Sequence, residues 1–378
     1  MNVMLRGRAR HYRSVSFDTR TNSVRLIEQR LLPHQFKVVQ THDYRDTAGA
    51  IHDMIVRGAP AIAATAAYGL AQGARAFRGQ DLRAFTRHIA KVGQVIRSAR
   101  PTAVDPVNAM YQVRARMNTG NTVAERQSLA LAAAADFAEA SAAECRAIGE
   151  KGEKLIHDGM RILTHCNAGW LACVDFGTAT APLYVAQERG RRFHVFCDET
   201  RPRCQGATLT AWELAQQGVS HQVIADNAAG HLMQRGEIDL VIVGSDRTLG
   251  RTGEVANKIG TYTKAVLAAR HRIPFYVALP LSTFDWELKR GRDIPIEERG
   301  EEEVLGAWGV IASPKSEGQR PKPRERTYVR VANPTSGARN PGFDVTPPEL
   351  VTGLITPVGI FKPGELWANR RALGRGLA

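Results

Sequence analysis

The run Arg161-Ile162-Leu163-Thr164-His165-Cys166-Asn167-Ala168-Gly169 places a thiol and a carboxamide where a short apolar strand should end, with glycine close behind. In an open α/β sheet, ligands bind beyond the carboxyl ends of the strands. A cysteine there is a candidate for proton handling or nucleophilic chemistry. A free cysteine is more often a small buried hydrophobe, and this run alone leaves both readings open. Three further strand-like runs end in polar groups. Asp198-Glu199-Thr200-Arg201 follows residues 193–197, Asp226-Asn227 follows 222–225, and Ser245-Asp246-Arg247 follows 240–243. One aspartate after a strand can be a helix N-cap; four polar strand ends in succession converge on one rim of a sheet.

A second candidate lies upstream. Arg57 and Gly58 precede the Ala-rich run 62–71, with Pro60 at or near its first turn, where a missing N–H costs nothing. Free N–H groups at a helix start favour an anion, so this is either a phosphate site or a helix corner with a solvated arginine.

These residues need a scaffold. The first 45 residues read as β-rich, with strands at 14–17 and 23–27 across the turn Asp18-Thr19-Arg20-Thr21-Asn22, and a further one near 36–39. Ala50, Ile51, Met54 and Ile55 then recur at helical spacing behind Asp46 as N-cap. Helices are expected at 62–71, 81–98 and 123–157, the last broken near Gly149 or Gly152. From 161 onward, strands at 162–165, 193–197, 222–225, 240–243 and 275–279 alternate with helical stretches, the pattern of a mostly parallel sheet. The expected fold is α/β: a helical N-terminal domain with a small antiparallel sheet (1–150), then a Rossmann-like, mostly parallel sheet domain (151–378). A Pro-rich basic loop is expected near 312–342, mobile over 313–326 and followed by an ordered anchor at Phe343-Asp344-Val345-Thr346-Pro347.

Composition narrows the function. No GxGxxG follows the first strand of the second half and no Walker motif occurs, so a dinucleotide or a nucleoside triphosphate is not indicated. The 51 basic against 37 acidic residues give a net charge of +14, but they are scattered and carry no nucleic-acid-binding motif. An anionic small substrate gains from the same field, and no nucleic-acid partner is expected. No apolar stretch is long enough to span a membrane. Five cysteines, with no CxxC pair, fit a reducing cytoplasm better than a disulfide framework or a zinc site.

Several blocks, in order, resemble the S-methyl-5-thioribose-1-phosphate isomerase family. They are Val56-Arg57-Gly58-Ala59-Pro60-Ala61, Arg100-Pro101-Thr102-Ala103, Thr164-His165-Cys166-Asn167-Ala168-Gly169, Asp198-Glu199-Thr200-Arg201-Pro202, Gln205-Gly206-Ala207, Leu209-Thr210-Ala211-Trp212-Glu213-Leu214, Val243-Gly244-Ser245-Asp246-Arg247 and Val255-Ala256-Asn257-Lys258-Ile259-Gly260-Thr261-Tyr262. The resemblance covers about residues 15–360. It implies an aldose–ketose isomerase acting on 5-methylthioribose 1-phosphate in methionine salvage, as a homodimer with no metal or organic cofactor. It assigns catalysis to Cys166 and Asp246, and substrate binding to Arg57, Gly58, Ala59, Arg100, Gln205, Asn257 and Lys258. The wider superfamily includes ribose-1,5-bisphosphate isomerases and regulatory subunits of an initiation factor exchange complex. A 5-deoxyribose-1-phosphate isomerase, a ribose-1,5-bisphosphate isomerase and a non-catalytic sugar-phosphate sensor are therefore the alternatives.

The phosphate ester on the anomeric oxygen blocks the ring opening that an ordinary aldose isomerase uses. The bond from C1 to the ring oxygen must break with the phosphate in place, and hydrogen must move from C2 to C1. Asp246 is the expected acid. Two routes fit: proton transfer through Cys166 by an enediol-like state, or a hydride shift with Cys166 stabilising charge. Both require a dry cavity, with Trp170 and the Ala-rich helix expected as apolar walls.

Overall fold

The computed structural model describes residues 1–100, 105–311 and 326–374. Strands β1 (Asn2–Leu5) and β2 (Arg8–His11) form a hairpin, and β3 (Val15–Asp18), β4 (Ser23–Ile27) and β5 (Val38–Thr41) an antiparallel meander. Helices α1 (Tyr44–His52), α2 (Ala59–Ala76), α3 (Leu82–Ser98), α4 (Asp105–Met117) and α5 (Val123–Gly152) follow. The cap of α1 is Asp43, whose carboxylate accepts from Arg45 N at 2.7 Å; Asp46, the expected cap, lies in the first turn. In α3, Phe85, Ile89, Val92 and Ile96 keep the i, i+4, i+7 spacing of a buried stripe. Helix α2 is enclosed along nearly its whole length, and alanine and glycine make that possible: a Cβ at Gly73 would stand 2.6 Å from Val92 of α3. Helix α4 adds to the expected elements. Its buried Pro106, Ala109, Met110, Val113 and Met117 are interleaved with polar residues that mask the period. Helix α5 runs through Gly149 and ends at Gly152, because both glycines lie against the next helix, α6 (Ala181–Glu188); added Cβ atoms would meet Val185 at 2.8 Å and Pro182 at 2.6 Å.

The second half builds the sheet that carries the site. Strands β6 (Arg161–Thr164), β7 (His194–Asp198), β8 (His221–Ile224), β9 (Leu240–Val243), β12 (Phe275–Ala278) and β17 (Gly353–Thr356) are parallel, in the order β8-β7-β6-β9-β12-β17, with β18 (Gly359–Phe361) antiparallel on the outer edge. Val195 and Cys197 pack on one face of β7 and Phe196 on the other; Leu240 and Ile242 oppose Val241 and Val243 likewise in β9. Burial on both faces is why these strands read as unbroken apolar runs. The chain winds outward from β6 through β7 and β8, returns to the far side of β6 with β9, and continues outward. The topological switch point therefore falls between β6 and β9, the place where such sheets bind ligands.

Helices α7 (Ala211–Gln216), α8 (Ala228–Gln234) and α9 (Thr261–His271) connect the parallel strands. A separate four-stranded sheet pairs β13 (Phe284–Asp285), β10 (Arg247–Leu249), β11 (Val255–Lys258) and β16 (Phe343–Thr346), the last being the expected anchor. The expected basic loop is in part regular structure: β15 (Arg326–Arg330) runs antiparallel to β14 (Gly306–Val310), and Tyr328 and Val329 supply β-formers that the flanking arginines obscure. Of the expected mobile stretch 313–326, residues 313–325 lie outside the described residues. No helix among the described residues is long and apolar enough to cross a membrane.

Candidate active site

Cys166 leaves the end of β6 with φ 67°, a left-handed conformation that costs a non-glycine residue about 1–3 kcal/mol. The surroundings hold it there. Its N–H donates to Thr200 Oγ1 at 2.8 Å, and its carbonyl accepts from the Thr210 hydroxyl at 2.7 Å. Thr200, itself at φ 64°, is fixed by Asp226, which accepts from Thr200 N at 2.7 Å and Arg201 N at 2.6 Å. Thr210 closes a π-helical turn, Gly206–Thr210, that begins after Gln205. Such turns recur at functional sites. Here Gly206 lies so close to the Asp198 carbonyl that a Cβ would collide with it.

Behind Cys166, the turn rests on one carboxylate. Glu213 is fully buried and accepts from Asn167 Nδ2 at 2.9 Å, Trp170 N at 3.0 Å, Leu171 N at 3.0 Å and the Tyr184 hydroxyl at 2.9 Å. Asn167 in turn receives Arg57: Nη1 donates to its Oδ1 at 2.6 Å and Nη2 to its carbonyl at 2.7 Å. Arg57 thus braces the Cys166-Asn167 turn as well as facing the cavity. Glu213→Ala would strand the buried Trp170 and Leu171 N–H groups. At about 1–3 kcal/mol each, the expected loss of unfolding free energy is about 2–6 kcal/mol, measured by denaturant titration.

Opposite, across the switch point, Asp246 follows β9 at the start of β10. Its N–H is held by the Ala256 carbonyl of β11 at 3.0 Å. The same β11 delivers Asn257 and Lys258. Asn257 Nδ2 donates to Thr261 Oγ1 at 3.0 Å, and Lys258 Nζ donates to the Gly342 carbonyl at 2.9 Å while lying 4.6 Å from the centre of the Phe343 ring. Gly58, at φ 93°, packs its Cα against Ala172 so closely that no side chain fits, and caps α2 with the cavity at its first turn.

All nine residues that the sequence singles out, Cys166, Asp246, Arg57, Gly58, Ala59, Arg100, Gln205, Asn257 and Lys258, line one cavity of about 430 Å³. Trp170 does not: it is fully buried in the core beside Trp212, and the apolar walls include Ile62, Phe284, Ile294 and Phe343 instead. The accessible surface of Asp246 faces this cavity. Gln205 Oε1 is buried with no hydrogen-bond partner among the described residues, an acceptor open to a ligand hydroxyl. Arg100 has Glu297 as its nearest acid, at 3.7 Å.

Burial raises the Cys166 thiol above its ordinary value, and the Asp246 charge adds to this, against the pull of Arg57 and Lys258. Burial also raises Asp246, opposed by Lys258, Arg57 and Arg100. It lowers Lys258 and Arg100. The resting site therefore favours a neutral thiol.

Several further contributors lie in runs that the sequence singles out, but without a role assigned to them there. His165 places Nδ1 2.8 Å from Asp198 and Nε2 2.9 Å from the Ile259 carbonyl, while Lys264 Nζ sits 3.2 Å from the same Asp198 oxygen. Asp344 accepts from Gly260 N and Tyr262 N at the start of α9. His165, Asp198 and Asp226 bring potential metal-ligating atoms within 4.8 Å of one another. Lys264 and the two backbone N–H groups on Asp226 already balance these carboxylates.

The sequence profile of the Initiation factor 2 subunit family matches residues 55–363. A methylthioribose-1-phosphate isomerase from Methylorubrum populi is 48% identical over 364 residues, covering 94% of this chain and 95% of that protein. The crystal structure of 5-methylthioribose 1-phosphate isomerase from Pyrococcus horikoshii superposes with a TM-score of 0.84 at 38% identity, covering 97% of each chain. That of the translation initiation factor eIF-2B delta subunit from A. fulgidus gives 0.81 at 39% identity, covering 96% of this chain and 100% of that one.

Proposed function

Because the chain belongs to the Initiation factor 2 subunit family and, within it, to the methylthioribose-1-phosphate isomerases, we propose that it converts 5-methylthioribose 1-phosphate to 5-methylthioribulose 1-phosphate, a methionine-salvage isomerisation, in the cavity between Cys166 and Asp246. The observation that carries the assignment of residues is the pair itself: a thiol and a carboxyl on either side of the switch point, in one cavity with Arg57, Arg100 and Lys258.

The three cations balance the phosphate dianion, and the start of α2 at Gly58 and Ala59 adds backbone N–H groups. Asp246, whose pKa desolvation shifts upward, gives a proton to the ring oxygen as the C1–oxygen bond breaks. This leaves positive charge at C1, shared with the phosphate-bearing oxygen. Hydride then moves from C2 to C1 while the C2 hydroxyl loses its proton to the Asp246 carboxylate. The products are a carbonyl at C2 and a methylene at C1, with no net proton change. The hydride route is favoured over proton abstraction because burial keeps Cys166 a thiol, a poor base. Its polarisable sulfur stabilises the cationic carbon without bringing in water, and Gln205 and Asn257 orient the sugar hydroxyls. A homodimer in the cytoplasm accompanies this reading and rests on the family resemblance.

The test is ketose formation from the 5-methylthio, 5-deoxy and 5-phospho forms of ribose 1-phosphate, followed by NMR. The 5-methylthio form is expected to give the highest kcat/KM. The 5-deoxy form follows, since a missing thioether is worth only about 1–3 kcal/mol. Binding without turnover of any of the three would instead support a sensor. Arg57→Ala removes a phosphate cation and the brace on Asn167 together. At about 1.5–3 kcal/mol per charge-assisted bond, kcat/KM is expected to fall about 100-fold or more, with KM raised. An unchanged KM removes Arg57 from the phosphate site.

A further inference from the structure

We propose that Asp285, through its ion pair with Arg247, sets the specificity of the site for the group on C5 of the sugar, by rejecting substrates that carry a second negative charge there. The proposal rests on the isomerase reading above and deepens it at one end of the cavity. Asp285 lies outside the motifs that the sequence singles out. The four-stranded sheet gives the cavity its two ends. Its order is β13-β10-β11-β16, so Lys258 on β11 and Asp285 on β13 belong to strands on opposite sides of β10, two strand spacings or ~10 Å apart. Asp246 immediately precedes β10, between them. The ring oxygen of the sugar is bonded to C1 on one side and to C4 on the other, and C4 carries C5. With the phosphate of C1 at the Lys258 side and the ring oxygen at Asp246, the C5 group is directed toward Arg247, Phe284 and Asp285, all of which line the cavity.

That end is closed to a second anion. Arg247 Nη1 donates to Asp285 Oδ2 at 3.2 Å. The carboxylate is not free to swing away and release the guanidinium, because its Oδ1 accepts from Glu287 N and Leu288 N, both at 2.9 Å. The backbone is fixed as well: the Asp285 carbonyl accepts from Gly250 N at 2.8 Å, and Asp285 lies opposite Leu249 in the parallel pair of β13 with β10. Glu287 lines the same cavity and brings a further acid to the turn after Asp285. The other arginines of the wall outside the phosphate end are capped likewise, Arg203 by Glu303 at 2.8 Å and Arg299 by Glu303 at 2.7 Å. A 5-phosphate therefore meets carboxylates, with every guanidinium described at that end already paired. A thioether or a methyl group carries no charge to repel and packs against Phe284. Rejection of the wrong ligand by a built-in repulsion is a general route to specificity.

The test is kcat/KM for the 5-methylthio, 5-deoxy and 5-phospho forms of ribose 1-phosphate with wild type, Asp285→Asn and the double variant Asp285→Asn/Arg247→Met, with thermal melts alongside. Asparagine keeps an oxygen for the Glu287 and Leu288 N–H groups and removes the charge. Wild type is expected to use the 5-phospho form about 100-fold less well than the 5-methylthio form. Asp285→Asn is expected to narrow that ratio about tenfold, because Arg247 is then free to pair with the added phosphate, and the double variant is expected to lose the gain. The ratio of the 5-deoxy to the 5-methylthio form, neither of them charged at C5, is expected to stay within about twofold of wild type, since the effect is one of charge. An Asp285→Asn ratio of 5-phospho to 5-methylthio equal to that of wild type overturns the proposal, as does an equal shift in the 5-deoxy ratio. So does a wild type that uses the 5-phospho and 5-methylthio forms equally well, a result that holds even if the variants melt early. Wild type that forms no ketose from any of the three overturns the isomerase reading along with the proposal, so the two failures are distinct.

Discussion

Asparagine at position 246 is expected to lower kcat by about 10²–10⁴-fold, the range for losing a positioned general acid, while leaving the melting temperature within a degree or two of wild type. The size follows from the substrate. A phosphate on the anomeric oxygen forbids spontaneous ring opening, so the ring oxygen must be protonated as its bond to C1 breaks. Asp246 is placed for this, its backbone fixed by the Ala256 carbonyl and its carboxyl free in the cavity. The stability half of the prediction follows from the same fact. The carboxylate has no ion-pair partner among the described residues, so the isosteric amide strands nothing, and removing a carboxyl that burial makes costly to ionise does not penalise the fold. KM is expected to change little, because phosphate binding is left to Arg57, Arg100 and Lys258. A variant retaining a tenth of wild-type kcat would remove Asp246 from the chemistry.

Serine at position 166 is expected to lower kcat by about 10²–10³-fold, the value of one preorganised electrostatic contact. Serine fits the same strained turn, since the contacts that hold φ at 67° are made by the backbone N–H and carbonyl, to Thr200 and Thr210. What changes is the group presented to the sugar. A hydroxyl is less polarisable than a thiol and hydrogen-bonds strongly to water, which competes for the cationic carbon. Steady-state rates and melts on the same preparation check this; a near-normal rate would contradict any role for the sulfur.

The scaffold was legible where physics is local. Burial on both faces makes β6, β7, β9 and β12 apolar runs, and parallel strands place their polar ends on one rim, so Cys166 and Asp246 could be picked out before the strand order was known. The packing of α4 was hidden because its buried positions are interleaved with asparagine, glutamine and arginine, and the strand at Arg326–Arg330 because it buries none of its residues. The supports of the site were hidden for a different reason. Glu213 reaches Asn167 across 46 residues and Thr200 reaches Cys166 across 34, and no periodicity encodes such a contact. Arg57 was legible as a cation at a helix start, but its bond to Asn167 depends on the packing of α2 against the Trp170-Leu171-Ala172 turn, which only the close approach at Gly58 reveals. Trp170 was expected at the cavity wall because it follows the Cys166-Asn167 turn; Glu213 captures its backbone N–H, and its side chain lies in the core beside Trp212.

The most direct test of the central claim is isotopic. 5-Methylthioribose 1-phosphate carrying deuterium at C2 would be turned over by the wild-type protein in ordinary water, and the product read by NMR. A neutral Cys166 thiol and a proton-donating Asp246 predict 5-methylthioribulose 1-phosphate with the deuterium retained at C1. A ketose whose C1 has gained a solvent proton, with the deuterium lost to water, would contradict the account, because it would require a base in the place where burial keeps a thiol.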